Sequence, residues 1–144
     1  MQRIDAIVGG LMDLYAQRGV DVMLLSEYGI MPVDKAIHLN RLFREQGWLT
    51  IKEEMGRELM DAGASRVFAV ADHQVAHIYI KDAALTGEVK EVLEITPGVQ
   101  AVLEDENHRR AGNLIAVAEE NAWFTYYYWN DDARAPDFAR TVDI

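Results

Sequence analysis

The sequence predicts an α/β fold, and three observations lead to this expectation. Residues 3–18 carry apolar side chains at intervals of three and four, the period of an amphipathic helix. Val20–Leu25 is then apolar apart from Asp21, as in a strand that is covered on both faces inside a parallel sheet. From residue 67 onward, short apolar stretches alternate with turn residues, which indicates several strands.

The pattern also gives an expected order of elements. Val20–Leu25 is the expected central strand, with the helix of residues 3–18 packed on it. Residues 38–46 are predicted to form a short helix that ends at Gly47, followed by a strand at Trp48–Lys52 and a loop over residues 53–65. The remainder is predicted to be a mixed β-α-β-β-β layer. Its helix is residues 83–94 and its strands are Val67–Ala71, Val75–Ile80, Val99–Leu103, Leu114–Ala118 and Trp123–Tyr128.

Composition and charge exclude some classes of function for this chain. At 144 residues and half hydrophobic, the chain is expected to be one domain spanning residues 1–144. Its net charge of −10 argues against binding to a nucleic-acid polymer or to an anionic membrane surface. A phosphate substrate is still compatible, because bound metal cations can reverse the local field.

Features that the sequence lacks limit its metal ligands, its membrane association and its expected location. There is no cysteine, so disulfides and thiolate metal ligands are excluded. No stretch approaches the roughly 20 apolar residues of a membrane span. Arg3 and Asp5 interrupt any signal-peptide pattern, and a cytoplasmic location is therefore the expectation.

The end of the first predicted strand is the first candidate site. Ser26-Glu27-Tyr28-Gly29 follows the apolar run, and ligands of open α/β sheets sit beyond the carboxyl ends of strands. The Glu27 carboxylate can bind a cation through oxygen, with Tyr28 beside it. The alternative is that both residues simply begin a solvated loop.

A second candidate combines two histidines with a carboxylate. Asp72, His73 and His77 lie within six positions and could converge on a cation or a phosphate. In a continuous strand, however, residues four apart are about 13 Å apart, so one metal between both histidines requires a turn at Gln74. The alternative is a hydrogen-bonded corner at a tight strand connection.

The aromatic block Phe124–Trp129 is the third feature. Aromatic side chains can stack on a nucleotide base. The alternative is an aromatic strand that packs against a helix.

Several segments are similar to one known family. Ser26-Glu27-Tyr28-Gly29-Ile30 after an apolar run resembles the Ser-Asp-His-Gly-Met metal-ligand motif of the type I phosphodiesterase/nucleotide pyrophosphatase family, a branch of the alkaline phosphatase superfamily. His38–Leu49 is similar to the helix and the Gly-Leu-Leu strand that follow in that family. Ala111–Glu119 is similar to its Ala-Gly-Asp-Leu strand. The resemblance implies a partial alkaline-phosphatase-like α/β core followed by the mixed β-α-β-β-β layer.

The resemblance also implies a chemistry. It points to hydrolysis of phosphate diester or pyrophosphate bonds in small phosphate esters or nucleotides, by two divalent metals and a Thr or Ser nucleophile. Zinc is the expected metal and manganese the alternative. Glu27 stands where the family has an Asp ligand, and Tyr28 where it has a His ligand. A phenol with a pKa of about 10 is a poor replacement for imidazole.

The family's nucleophile, its other Asp and His ligands and its final His have no matching position here. We therefore expect a C-terminal fragment of a larger metallohydrolase domain, inactive alone and without a tightly bound metal. Surface left exposed by such a truncation would favour self-association. The alternatives are a non-catalytic binding or interaction domain, and a degenerate superfamily member that has lost its metal.

Overall fold

A computed structural model describes residues 2–27, 29–104 and 108–140, and the chain divides into two compact units at residue 30. The predicted α/β class is confirmed, because helices and several sheets are both present.

The first unit contains one helix and an irregular segment. Helix α1 spans Gln2–Ala16, as its periodicity predicts, and Gly19 follows in the left-handed region (φ 65°) that favours glycine after a helix. No side chain of α1 is buried.

The prediction that Val20–Leu25 is a central strand, with the helix packed on it, is wrong. Residues 20–26 have no regular secondary structure, and all of them are exposed. A strand needs a neighbour for its backbone N–H and C=O groups, and none of the strands in the described residues pairs with this segment. An apolar run indicates that a segment favours burial, but it does not supply the pairing strand.

The second unit is built on a four-stranded antiparallel sheet in the order β4-β5-β7-β6. Its strands are β4 (Val67–Asp72), β5 (Val75–Ile80), β6 (Val99–Leu103) and β7 (Leu114–Ala118). The connection from β5 to β6 contains a 3-10 turn at Ala83–Leu85 and helix α3 at Thr86–Glu94. These four strands and the helix confirm the corresponding predicted elements. Their order along the chain is β-β-α-β-β, whereas the predicted layer was β-α-β-β-β. Only two residues join β4 to β5, which forces an antiparallel hairpin before the helix.

The fifth predicted strand lies outside the main sheet, in a separate parallel pair. Strand β8 is only Ala122–Phe124, and it pairs with β1 (Lys35–Ile37), which the sequence did not predict. The predicted strand was to continue to residue 128. Beyond Phe124, the Thr125 N–H still donates to Ile37 O of β1 (3.0 Å), and further on side chains bind the backbone carbonyls: Arg44 donates to Tyr128 O and Arg41 to Trp129 O.

Between β1 and β4 lie a helix and a hairpin. Helix α2 spans Leu39–Glu45, within the predicted bounds. Strands β2 (Ile51–Glu54) and β3 (Arg57–Met60) form a hairpin that takes up residues 53–60 of the segment predicted as a loop, so that prediction is wrong. Met55 and Gly56 both have positive φ (50° and 74°), which suits a two-residue hairpin turn. The sequence pattern did not reveal this part of β2, because the charged Lys52-Glu53-Glu54 stretch shows no alternation of apolar and polar residues.

The core lies between the sheet and the two helices of this unit. Helices α2 and α3 bury Leu39, Phe43, Val89 and Leu93 in the same apolar cluster as the inward side chains of the sheet. At the sheet edge, Asn40 replaces a neighbouring strand: its Nδ2 donates to Ala69 O (2.9 Å), and Ala69 N–H donates to its Oδ1 (2.7 Å). This exchange fixes α2 against β4 and closes an edge that would otherwise be open to pairing.

One buried carboxylate links three parts of this unit. Glu58 on β3 is only 2% exposed and accepts hydrogen bonds from both Nη atoms of Arg44 on α2, at 2.5 and 3.3 Å. Arg134 Nη1 lies 3.2 Å from its Oε1, and the Asn130 N–H donates to its Oε2 at 3.3 Å. The hydrogen bond from Arg44 lowers the pKa of the Glu58 carboxyl, against the opposing effect of burial.

We predict that Glu58→Ala costs about 3–5 kcal/mol of unfolding free energy, because it leaves the arginines of a buried pair without their partner. Since the folded-state pKa of Glu58 is lowered, its stabilisation is present above the ordinary pKa and is lost as pH falls through the folded value. Urea unfolding between pH 7 and pH 3 measures both effects. Glu53→Ala is the matched control, because Glu53 is exposed and contacts the same Arg134. Equal losses in the two variants would contradict this role for Glu58.

Candidate functional site

The first predicted site does not lie at a strand end. Glu27 is exposed, in a bend of the irregular segment of the first unit, and Tyr28 lies outside the described residues. Residues 2–26 contain helix α1 and no strand, so the geometric reason for expecting chemistry at Glu27 is absent.

Asp72 and His73 lie at the tip of the β4–β5 hairpin. Asp72 pairs with Val75, so His73 and Gln74 form a two-residue turn in which His73 has φ 53°. Asp72 and His73 are exposed, and the turn is fixed by its backbone: His73 O accepts from Phe124 N–H (2.7 Å) and Gln74 O from Ala118 N–H (2.9 Å). The structure therefore contains a hydrogen-bonded corner at this connection.

His77 lies in the middle of β5, between Val70 on β4 and Ile115 on β7. Its Nδ1 accepts the Gly112 N–H at 3.2 Å, so one ring nitrogen already has a structural partner. Gly112 approaches this strand so closely that a Cβ there would lie 2.5 Å from Ile78 N. Nowhere in residues 2–27, 29–104 and 108–140 do three or more His, Asp or Glu side chains form a group that could hold a metal.

A polar cluster lies instead at the parallel strand pair. Because β1 and β8 are parallel, their carboxyl ends lie at the same edge, where α/β proteins place ligands. The next residue after β1 is His38 and the next after β8 is Thr125. The His38 Nδ1 lies 2.7 Å from Thr125 Oγ1.

Hydrogen bonds and charges surround this imidazole. Thr125 is 3% exposed; its Oγ1 accepts the Tyr127 N–H (3.3 Å) and is also hydrogen-bonded to His38 Nδ1. Burial lowers the pKa of His38, and the positive charge of Arg41 lowers it further, while Asp132 acts in the opposite direction.

Arg41, one helical turn after His38, completes the cluster. Its Nε donates to Trp129 O at 2.6 Å, and its Nη2 lies 3.6 Å from Asp132 Oδ1. Its guanidinium lies over the Tyr127 ring at 5.1 Å, and that ring stacks on His38 at 5.2 Å with an angle of 2° between planes. The result is a half-buried imidazole held by a hydrogen bond to Thr125 and by stacking on Tyr127.

Sequence reasoning missed this cluster for a physical reason. His38 and Thr125 are 87 positions apart, and the strand that positions His38 is only three residues long. A short strand gives almost no periodicity, and a long-range pairing gives no local signal. The available clue was the placement of a His directly before a helix and after an apolar residue.

An open cleft forms a second feature of this unit. Its volume is about 510 Å³, within the range of roughly 300–1,000 Å³ that is usual for small-molecule sites. The hairpin, α2, the β4 edge and the segment after β8 all contribute to its lining: Asn40, Lys52, Leu59, Met60, Ala69, Val70, Tyr126, Tyr128 and Phe138.

The aromatic block divides between packing and this cleft. Phe124, Tyr128 and Trp129 are buried in the core, but only Phe124 lies in a strand. Tyr126 is 43% exposed and faces the cleft, and Tyr127 stacks on His38.

Comparison with known protein families identifies the family of this chain. The model of the type I phosphodiesterase / nucleotide pyrophosphatase family matches residues 1–143. The chain belongs to this family. No curated protein and no solved structure matched it. The resemblance seen in the sequence is therefore confirmed.

Type I phosphodiesterases and nucleotide pyrophosphatases are generally metal-dependent. The residues described here do not fit a metal centre by themselves. His77 Nδ1 is engaged by Gly112, and no three-ligand group is present among the described residues. No step of hydrolysis is therefore assigned to a metal bound by them.

The described part of this family member contains no helix that is long and apolar enough to cross a membrane.

We predict that His38 gives the second unit a pH-dependent stability near neutrality. Because the folded-state pKa of His38 lies below its ordinary 6.5, the unfolded chain binds more protons between the two values. Its contribution is therefore present above pH 6.5 and is lost as pH falls toward the folded pKa. NMR titration of the His38 ring gives that pKa directly.

Unfolding of His38→Gln and wild-type protein between about pH 5 and 7 tests the link to stability. The variant should lose part of the slope, whereas His108→Gln, at an exposed position, should keep it. A His38 pKa at or above 6.5 would contradict the buried, hydrogen-bonded geometry.

Proposed function

We propose that this chain is part of a metal-dependent enzyme that hydrolyses diester or pyrophosphate bonds in small phosphate esters such as nucleotides. The observation that supports this most directly is the family match over residues 1–143. The acidic net charge of −10 is compatible with such a substrate when divalent cations are present, since the cations become the strongest local charges.

In this proposal Glu27 is a metal ligand of the complete enzyme, and the metal is zinc or manganese. Its support is the place of Glu27 in the segment similar to Ser-Asp-His-Gly-Met, together with the exposure of its side chain, which leaves it accessible. Tyr28, Asp72, His73 and His77 are proposed contacts to the substrate or metal in that enzyme. When bound, a divalent metal supplies Lewis-acid activation of a phosphoryl oxygen.

We predict that the purified 144-residue chain does not hydrolyse bis-p-nitrophenyl phosphate above background, with or without added zinc or manganese. The reason is that the family's nucleophile has no counterpart here and the described residues form no three-ligand group. Release of p-nitrophenolate, followed by absorbance, measures the rate. The decisive contrary result is metal-dependent turnover that disappears in Glu27→Ala and persists in Glu54→Ala, an exposed carboxylate on β2.

We also predict that zinc binds the metal-free chain weakly. A catalytic zinc site needs three converging protein ligands at about 2.0–2.2 Å. The diffuse attraction of the net charge is screened over about 8–10 Å at physiological salt. Isothermal titration at 0.15 M salt should show weak binding that Glu27→Ala does not change. Tight one-to-one binding that is lost in both Glu27→Ala and His73→Ala would overturn this and identify a preformed site.

A further inference from the structure

The cleft next to β4 gathers exposed apolar surface in one place. Val70, Tyr126 and Phe138 all contribute to its lining, and they are 46%, 43% and 48% exposed. Large apolar side chains scattered over a surface are ordinary, but a group that converges on a concave site of about 510 Å³ is a feature of ligand sites.

Two of the three aromatic rings that line the cleft, Tyr128 and Phe138, pack against the core behind them. Trp129 is buried and contacts two of the cleft rings edge-on, Tyr128 at 5.2 Å (86°) and Phe138 at 6.3 Å (80°). Tyr128 is also fixed at its backbone, where its carbonyl accepts from Arg44. Rings that are already ordered lose little conformational entropy when a ligand binds, and they favour a planar partner that stacks or meets them edge-on.

The electrostatic character of the cleft is set by one lysine. Of the described residues that line it, Lys52 alone is charged, in a protein of net charge −10. Its Nζ hydrogen-bonds to Glu54 at 2.9 Å, and this bond raises the pKa of Lys52 and keeps it cationic. Both side chains are exposed, and an exposed ion pair of this kind contributes little free energy, so an anionic ligand can compete with Glu54 for Lys52.

We propose that this cleft binds a small ligand with a planar aromatic ring and one anionic group, the ring against Tyr126 and Phe138 and the anion at Lys52. Polar anchoring by a single charge and apolar enclosure of a ring are the usual division of labour in small-molecule sites. This binding is independent of hydrolysis and does not rest on the family's substrate.

Three small probes distinguish the contribution of the aromatic ring to binding from that of the anionic charge. 2-Naphthoate carries both, its isostere 2-naphthamide carries the ring without charge, and acetate carries the charge without a ring. Binding is followed by ¹H–¹⁵N NMR of the whole chain at 0.15 M salt. We expect saturable shifts at Lys52, Met60 and Tyr126 with 2-naphthoate, at least fivefold weaker binding of 2-naphthamide, and no saturation with acetate. Equal affinity for the first two probes, or no saturable shift at these residues with 2-naphthoate, would overturn the proposal.

Matched variants then test the two contacts. Lys52→Met and Tyr126→Ala should each weaken 2-naphthoate binding at least fivefold, and Lys52→Arg should restore most of it. Lys90→Met is the control for charge, because Lys90 is likewise an exposed lysine paired to a glutamate. Tyr15→Ala is the control for the ring, since Tyr15 is also 43% exposed.

The tertiary fold of each variant is checked by its amide spectrum, and Tyr126→Leu replaces Tyr126→Ala if the alanine variant unfolds. Losses in Lys90→Met or Tyr15→Ala equal to those in the cleft variants would overturn the assignment of the site.

Discussion

The second unit depends on the buried carboxylate of Glu58. Its side chain is almost fully removed from water, so it requires charged partners, and it finds them on two other elements: Arg44 of α2 and Arg134 of the segment after β8. Arg44 uses the same guanidinium to hold the Tyr128 carbonyl. One ion cluster thereby fixes the hairpin, the helix and the aromatic segment relative to one another.

Both surface features of this unit are consequences of that arrangement. The hairpin supplies Lys52, Leu59 and Met60 to one side of the cleft, and the aromatic segment supplies Tyr126 and Tyr128. The same segment places Thr125 and Tyr127 against His38, while α2 places Arg41 beside them. The buried carboxylate of Glu58 thus links the elements that carry both features.

The strand-end rule for α/β proteins applies to this chain, but at a different place from the one the sequence indicated. The only parallel pair in the described residues is β1–β8, and its carboxyl ends carry His38 and Thr125. Glu27 follows an apolar run that has no strand partner there, so apolarity alone was an insufficient sign of a parallel strand. His73 differs from Glu27, because it does follow a strand. A histidine at a strand end can adopt a left-handed turn conformation whose contacts are made by its backbone carbonyl.

The sequence by itself determined the local elements and the family. Periodicity of three to four residues located α1, α2 and α3, and short apolar runs located the four strands of the main sheet, because both signals depend on neighbours only a few positions away. Membership of the type I phosphodiesterase and nucleotide pyrophosphatase family was readable from segments in their order. Tertiary structure alone decided which strands pair, that residues 51–60 form a charged hairpin, and that His38 meets Thr125 across 87 positions. These outcomes depend on hydrogen bonds and burial between distant segments, and a pattern within any one segment does not contain them.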